Sequence, residues 1–329
     1  MRLPLFDSLK GFAILMVVYT HVLQYVGVGN YLVNPFFEFT YAFHMPLFMT
    51  ISGYFAASTL RLGWKELLHK KAVNLLLPCL TAGIVILLVN RTLHWDPRHA
   101  GLSYPIFNLW YLKCLFACYV IGKLSLQVTR QRVTWAIVLS LVFSLFLPTP
   151  FHIAFMLPFF WAGYVWRRHP DWIARRANLI LAVSVIVFLC LWPFWDGYQT
   201  VYIHPLRLFH YRTGSWEGAN WVAHLLRLGI GAAGTAATIA LFTIIYQRQR
   251  SLPLLERVGR HTLELYTLHF FLIDTRLLHL AAMPYIRWAY ELIYCPLLTA
   301  IVLTICRMTI TVCNQSKCLR LLLFGKTGN

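Results

Sequence analysis

Long apolar segments alternate with short polar ones along almost the whole chain. Ten of them run for about 20 residues, the length that a helix needs to cross a bilayer. These segments lie at about 11–28, 36–60, 73–90, 106–122, 133–149, 152–166, 178–195, 221–246, 262–284 and 289–313. The pattern predicts an all-α fold: a polytopic transmembrane helix bundle of about ten helices, forming one membrane-embedded domain over 1–329. Pro46 interrupts the second segment and is expected to kink that helix or start it anew.

The composition supports a membrane protein and argues against a soluble one. Hydrophobic residues make up 59% of the chain and charged residues only 12%, whereas soluble domains carry about 25% charged residues. The first apolar segment has polar flanks and no small-residue cleavage pattern, so we expect it to stay in place as a helix. The eight cysteines show neither the spacing of a metal site nor that of a disulfide framework, and no metal is expected.

The positive charges predict the orientation of the helices. Of the 29 Lys and Arg residues, 21 fall in loops and ends on one side, six on the other, and Lys113 and Arg227 inside helices. The richer side is expected in the cytoplasm, which places both termini there and requires an even number of spans. The net charge of +18 is then explained by orientation and by contact with anionic lipids of the bilayer. A nucleic-acid partner is not expected.

The first apolar segment carries ionisable residues on one stripe. Eleven helical steps separate Lys10 from His21, which returns the chain to within about 20° of its starting face, about 16 Å further along. Asp7 lies about 40° from that stripe and is expected to pair with Lys10 or to cap the helix. Ionisable groups inside a membrane are costly and mark functional sites. His21, expected near the bilayer midplane, can act as a general base or carry an acyl group itself.

The second segment carries a further histidine and a small-residue pair. His44 lies toward its outer end, beside the backbone opened by Pro46. Ser52 and Gly53 lie in its middle, where they serve either a site or simply the close approach of two helices.

A basic run follows the second segment. Four cations within eleven residues either follow the positive-inside rule or form a phosphate cradle for a nucleotide-bearing donor such as coenzyme A. They are Arg61, Lys65, Lys70 and Lys71.

The longest outer loop, at about 196–220, is rich in aromatic, histidine and arginine residues. Such side chains suit stacking on a sugar and hydrogen bonding to its hydroxyls, or form an interfacial aromatic belt. They are Trp195, Tyr198, Tyr202, His204, Arg207, His210, Tyr211, Arg212 and Trp216.

The ninth segment begins at Thr262, a possible helix cap, and buries Glu264, His269 and Asp274 at increasing depth. His269 and Asp274 match a His-x4-Asp spacing. Five helical residues, however, separate their side chains by about 140°, which argues against a catalytic dyad.

Several of these motifs together resemble the acyltransferase-3 family of integral membrane acyltransferases, especially its fucose 4-O-acetylase-like branch. The resemblance begins with Asp7-Ser-Leu-Lys-Gly-Phe-Ala and the Lys10-x10-His21 spacing, where the family more usually has Arg than Lys. It continues with Phe43-His-Met-Pro-Leu-Phe through Ile51-Ser-Gly-Tyr-Phe55, and with the run from Lys70 to Pro78. Weaker matches are Leu109-Trp-Tyr-Leu112, Phe160-Trp-Ala-Gly-Tyr164 and Leu265-Tyr-Thr-Leu-His269.

The resemblance implies transfer of an acetyl or similar short acyl group from acyl-CoA to a carbohydrate hydroxyl. It implies that His21 is catalytic and that Lys10 helps to place the donor. We expect Arg61, Lys70 and Lys71 to contribute to binding of the donor phosphates. Acetyl-CoA or another acyl-CoA is expected as a donor substrate, and no permanently bound cofactor is expected. Substrate-binding side chains are expected at Asp7, His44, Ser52, Tyr54, Trp110 and His269.

We therefore expect a bacterial inner-membrane O-acyltransferase that acts on a surface glycan or its lipid-linked precursor. The sugar hydroxyl reaches His21 from the cytoplasmic side or from the outer side, and both routes stay open. One alternative is a transporter or flippase without acyl chemistry, although the chain shows none of the repeated halves typical of that class. Another is a non-catalytic member of a glycan-assembly complex, and other glycan-assembly proteins are candidate partners in either case.

Overall fold

A computed structural model describes residues 3–26, 30–93, 109–147, 151–200, 203–210, 215–218, 221–273 and 287–326. Most of these residues are helical. The first half contains α1 (Pro4–Tyr25), α2 (Pro35–Tyr54), α3 (Ala56–Leu60), α4 (Trp64–Lys71), α5 (Leu77–Leu93), α6 (Trp110–Val128), α7 (Val133–Ser144) and α8 (Ile153–Arg168). The second half contains α9 (Pro170–Arg175), α10 (Ala177–Leu191), α11 (Gly197–Thr200), α12 (Trp221–Gln247), α13 (Pro253–Gly259), α14 (Thr262–Ile273), α15 (Arg287–Ala289), α16 (Cys295–Cys313) and α17 (Lys317–Phe324).

Short irregular helical segments connect some of these helices. Two are 3₁₀ turns, at Tyr31–Val33 and Trp192–Phe194. Two are π-helical turns, Ala72–Leu76 leading into α5 and Tyr290–Tyr294 leading into α16.

A small antiparallel sheet lies within the 196–220 loop. Its strands β1 (Ile203–His204), β2 (Arg207–His210) and β3 (Ser215–Glu217) pair in the order β1-β2-β3. The prediction of an all-α helical bundle is confirmed. This loop is the one place in the described residues where short strands occur.

Six helices in the described part of the chain are long and apolar enough to cross a membrane, by length and composition. They are Pro4–Tyr25, Trp64–Val89, Trp110–Val128, Ala177–Phe194, Trp221–Gln247 and Tyr290–Cys313. The remaining predicted segments contain shorter or less apolar helices, among them α2, α7 and α14. The count of about ten spans and the cytoplasmic location of the termini stay predictions.

Helix α2 runs unbroken through Pro46, so that proline does not start a new helix. The break comes instead at Phe55, between α2 and α3. The first helix also begins earlier than its apolar segment, at Pro4 rather than near residue 11, because a proline is well tolerated in a first helical turn and Asp7 favours the positive end of the helix dipole.

Reciprocal glycine contacts set the distance between α2 and α8. A Cβ atom on Gly53 would lie 1.9 Å from the Phe160 carbonyl oxygen, and one on Gly163 would lie 1.8 Å from the Thr50 carbonyl oxygen. The two backbones therefore touch directly, as in other helix crossings built on small residues. Packing accounts for Gly53, which is one of the two explanations left open by the sequence.

Candidate active site

Helix α1 carries Lys10 and His21 on a single unbroken helix, as predicted. The helix extends from Pro4 to Tyr25, so His21 lies about 25 Å from its first residue and about 6 Å from its last. His21 therefore lies near the C-terminal end of α1 and not at the middle of the helix.

The ring of His21 packs between two other rings. Tyr25 stacks on it with a centroid separation of 5.7 Å, and His269 of α14 lies 5.2 Å away. His21 itself is partly exposed, whereas its chain neighbours Thr20 and Val22 are buried. The structure thus joins two histidines that are far apart in the sequence, and leaves one of them accessible.

A third histidine approaches the same place from α2. His44 is buried and interacts electrostatically with His21. The hydroxyls of Thr20 and Thr40 are 2.8 Å apart and join α1 to α2 beside it. Thr40 is one turn before His44, so this hydrogen bond fixes the separation of the helices that carry the two histidines.

Backbone contacts select one tautomer for two of these histidines. The Nδ1 atom of His44 lies 2.5 Å from the Thr40 carbonyl oxygen, and that of His269 lies 2.9 Å from the Leu265 carbonyl oxygen. A carbonyl only accepts hydrogen bonds, so we assign the hydrogen to Nδ1 in each ring. In the neutral form, each Nε2 then carries the lone pair.

Ser52 belongs to a chain of polar and aromatic contacts that reaches His269. Its hydroxyl is 3.0 Å from that of Tyr111, the Tyr111 ring lies 5.8 Å from Tyr266, and Tyr266 lies 5.6 Å from His269. Ser52 is therefore connected to the histidine site through the side chains of Tyr111 and Tyr266.

Trp110 and Tyr54 lie in two different surroundings. The Trp110 ring is 4.8 Å from that of His152. Tyr54 packs its ring 4.2 Å from Phe6 of α1, and its hydroxyl accepts a hydrogen bond of 3.2 Å from Arg167. Tyr54 thus contacts the first turn of α1, and Trp110 contacts a histidine that sequence reasoning did not single out.

The structure also brings together a buried group of basic side chains, of which the sequence pattern indicated only Arg227. Arg227 of α12 is only 2% exposed, and its guanidinium lies 4.1 Å above the Phe155 ring and 5.6 Å from the Tyr41 ring. His152 and His224 are also buried and interact electrostatically with Arg227. In the sequence, this group is indicated by Arg227 itself, because an arginine inside an apolar helix is rare in a membrane and marks a functional site.

The opposite end of α1 holds an ion-pair network. Lys10 Nζ is 2.7 Å from Asp7 Oδ1, so the predicted pair forms. Arg260, which follows α13, lies 4.0 Å from Asp7 Oδ2 and 3.9 Å from Glu256 Oε2. The Tyr246 hydroxyl donates to Glu256 at 2.6 Å and completes the network.

The other proposed donor-binding cations are Arg61, directly after α3, and Lys70 and Lys71, at the end of α4. Arg61 and Lys70 are exposed, and Lys71 is partly buried with its Nζ 3.9 Å above the Tyr119 ring centroid. Their part in donor binding stays a prediction, as does that of Lys10.

The described part of the 196–220 loop packs against the start of α2. Asn30 donates a hydrogen bond to the Tyr198 hydroxyl, and a Cβ on Gly197 would lie 1.9 Å from the Leu32 carbonyl oxygen. Trp195 stacks on Trp192, and His204 is buried. Tyr202, Tyr211 and Arg212 lie outside the described residues, as does Asp274 of the His-x4-Asp match. Only the backbone is described for Arg207, His210 and Trp216.

The arrangement can perform acyl transfer. It brings three histidine side chains together, that of His21 partly exposed, and Lys10 and Arg260 lie at the other end of α1. Neutral imidazole is the usual general base near neutral pH. A hydroxyl placed beside His21 can be deprotonated as it attacks an activated carbonyl.

Comparison with known proteins agrees with this chemistry. A family model described as an acyltransferase domain, of the acyltransferase-3 type, matches residues 4–308. The chain is 29% identical over 284 residues to nodulation protein NolL of Sinorhizobium fredii (strain NBRC 101917 / NGR234), covering 79% of this chain and 75% of the relative. It is 27% identical over 292 residues to nodulation protein NolL of Mesorhizobium japonicum (strain LMG 29417 / CECT 9101 / MAFF 303099), covering 79% and 74%. No solved structure matches.

Proposed function

We propose, since this chain belongs to the acyltransferase-3 family of acyltransferases, that it moves an acetyl or similar short acyl group from acyl-CoA to a carbohydrate hydroxyl. Family membership confirms the identification made from the sequence and the prediction of an O-acetyltransferase-type enzyme. The proposal adds the donor and the acceptor: a cell-surface carbohydrate or its lipid-linked precursor. It also places the enzyme in a bacterial inner membrane, with about ten spans and both termini in the cytoplasm.

The observation that carries the proposal is the packing of His21 against His269, with a ring separation of 5.2 Å. Two imidazoles in contact within an apolar bundle, that of His269 buried and that of His21 partly exposed, are costly unless they serve chemistry. Assignment of the hydrogen of His269 to Nδ1 leaves Nε2 as an acceptor. That atom can accept a hydrogen bond from His21 once His21 has taken a proton, and so stabilise the imidazolium.

Direct transfer proceeds in two balanced steps. The sugar oxygen attacks the thioester carbonyl while an imidazole nitrogen of His21 takes the hydroxyl proton. The tetrahedral intermediate then expels the CoA thiolate, and His21 returns the proton to that sulfur. In the relay form, one nitrogen of His21 attacks the thioester, and the proton of the other ring nitrogen goes to the departing sulfur, so that CoA leaves as the thiol. The sugar oxygen then attacks the acyl carbon, the carbon–nitrogen bond breaks, and the hydroxyl proton returns to the imidazole.

The geometry of α1 supports donor entry from the Lys10 end. That end carries Lys10 at the surface predicted to be cytoplasmic, and His21 lies about 16 Å further along the helix. Acyl-CoA is long enough to hold its phosphates at one end of this path and its thioester at the other. The acceptor, from either side of the membrane, meets the thioester near His21 and His44.

The test is purified protein in lipid nanodiscs, with CoA release and acyl transfer measured for wild type and for His21→Ala. We expect His21→Ala to lose at least about a hundredfold in rate, as is typical when a general base is removed. His69→Ala, an exposed histidine of α4, is the matched control and should keep the wild-type rate. A His21→Ala variant that is folded and as fast as wild type would refute the catalytic role.

The same assay separates the alternatives. A transporter or flippase moves its glycan without releasing CoA, and a non-catalytic partner in glycan assembly tolerates His21→Ala in a glycan phenotype. Acyl-CoA, a carbohydrate and the lipid bilayer are the partners in this proposal, with other glycan-assembly proteins as possible neighbours and no nucleic acid.

A further inference from the structure

Two glycines bring the end of α13 into backbone contact with α1. A Cβ atom on Gly259 would lie 1.7 Å from the Asp7 carbonyl oxygen, and one on Gly11 would lie 2.1 Å from the Leu255 carbonyl oxygen. Each glycine thus removes the side chain that would hold the two backbones apart. Arg260, the residue after Gly259, is thereby placed beside the Asp7–Lys10 pair.

Arg260 lies near this pair without forming a hydrogen bond to Asp7. Its guanidinium lies 4.0 Å from Asp7 and 3.9 Å from Glu256, and both distances exceed that of a hydrogen bond. The side chain is 44% exposed, while that of Lys10 is 28% exposed. Two cations from distant parts of the sequence therefore face solvent on either side of one carboxylate.

We infer that Arg260 and Lys10 together form a clamp for the phosphate groups of the acyl-CoA donor. The inference rests on the proposed function. A guanidinium offers a planar fork of donors that matches phosphate oxygens in a bidentate manner, whereas an ammonium contributes a point charge. The chain carries Lys rather than Arg at position 10, and Arg260 supplies the fork that Lys10 lacks. Asp7 is a positioning residue, since its carboxylate pairs with Lys10 at 2.7 Å and lies 4.0 Å from Arg260.

The acidic partners of Arg260 leave room for a phosphate. Asp7 holds Lys10 closely, at 2.7 Å, through one oxygen, whereas its other oxygen is 4.0 Å from Arg260. The exposed side of the guanidinium remains available to a ligand. A phosphate there gains charge-assisted hydrogen bonds and breaks none made by Arg260 among the described residues.

The test compares ligands with and without phosphates. Equilibrium binding of CoA and of pantetheine, which lacks the nucleotide and its phosphates, is measured on the full chain in nanodiscs. We expect Arg260→Gln to weaken CoA binding by about tenfold to a hundredfold, the loss typical of a hydrogen bond to a charged group. Pantetheine binding should change by less than about twofold. Arg260→Lys is expected to fall between wild type and Arg260→Gln.

Arg257→Gln is the matched control, because Arg257 is an exposed arginine of the same short helix. It should bind CoA as wild type does. Equal weakening of CoA and pantetheine by Arg260→Gln, or unchanged CoA binding, would overturn the inference. Acyl-CoA turnover is measured in parallel, so that the two proposals fail separately. Arg260-dependent CoA binding without turnover would refute the proposed function alone, and turnover without Arg260 dependence would refute this inference alone.

Discussion

Replacing Gly259 by alanine is expected to force α1 and α13 apart and to destabilise the protein. The new Cβ would lie 1.7 Å from the Asp7 carbonyl oxygen, and ordinary contact begins at 3.4 Å. The difference, 3.4 minus 1.7, requires a separation of about 1.7 Å at the crossing. The obstructing atoms are backbone and cannot rotate away, so the helices themselves must move.

The expected loss is about 3 kcal/mol, the upper part of the usual range for overpacking a well-packed contact. Gly11→Ala meets the Leu255 carbonyl oxygen at 2.1 Å at the same crossing and should cost somewhat less. One separation of the helices relieves both clashes, so the double variant should lose less than the sum of the two single losses. Helix propensity alone predicts the opposite sign for Gly11→Ala, a gain of about 1 kcal/mol.

The assay is equilibrium unfolding in mixed micelles, followed by circular dichroism. Gly63→Ala is the control for added volume, because nothing lies within 4 Å of its added Cβ. Gly63 is the N-cap of α4, where alanine costs up to about 1 kcal/mol, so this control should lose far less stability than Gly259→Ala. The reasoning would be refuted if Gly259→Ala were as stable as Gly63→Ala, or if the losses of the two crossing variants simply added.

Variants at two further positions test buried polar contacts by the same unfolding assay. Asn34 caps α2 and donates to the buried Glu291 at 2.6 Å. Asn34→Asp keeps a capping oxygen but places a second carboxylate against that of Glu291. A loss of roughly 2 kcal/mol in the free energy of unfolding is therefore expected at neutral pH. Unchanged stability would exclude this contact. The Trp161 indole N–H donates to the Ser140 hydroxyl at 2.8 Å, and both residues are buried. Ser140→Ala leaves that N–H unsatisfied at a cost of about 1–3 kcal/mol, whereas Ser140→Cys, which retains a weak acceptor, should lose less.

The helical content of the chain could be predicted from the sequence because it depends on local patterns. Apolar segments near 20 residues indicated the helices, and the Lys10–His21 spacing indicated one helix stripe. The Asp7–Lys10 pair is separated by a single helical turn, so it too could be predicted. Each of these features involves residues that are close in sequence or separated along one element, where helix geometry alone determines the distance.

The ends of the helices and the small sheet were harder to predict from the sequence. Pro46 was expected to interrupt α2, yet the helix continues to Tyr54, since neighbouring helices can accommodate the freed carbonyl of a proline in a membrane bundle. In the 196–220 loop, the sequence indicates a concentration of aromatic side chains. The strands there are too short to show the alternation of apolar and polar residues that predicts a strand.

By itself, then, the sequence determined a helical membrane bundle, its family, and which histidine and lysine share a stripe of α1. Only the tertiary structure decided that His269 packs against His21 and that Arg260 stands beside Asp7, since both pairs join residues about 250 positions apart. Arg227 was visible as an arginine in an apolar helix, but its neighbours His152 and His224 were not. The physical reason is that these contacts depend on how closely helices cross. That distance is set by glycines whose partners lie on another helix.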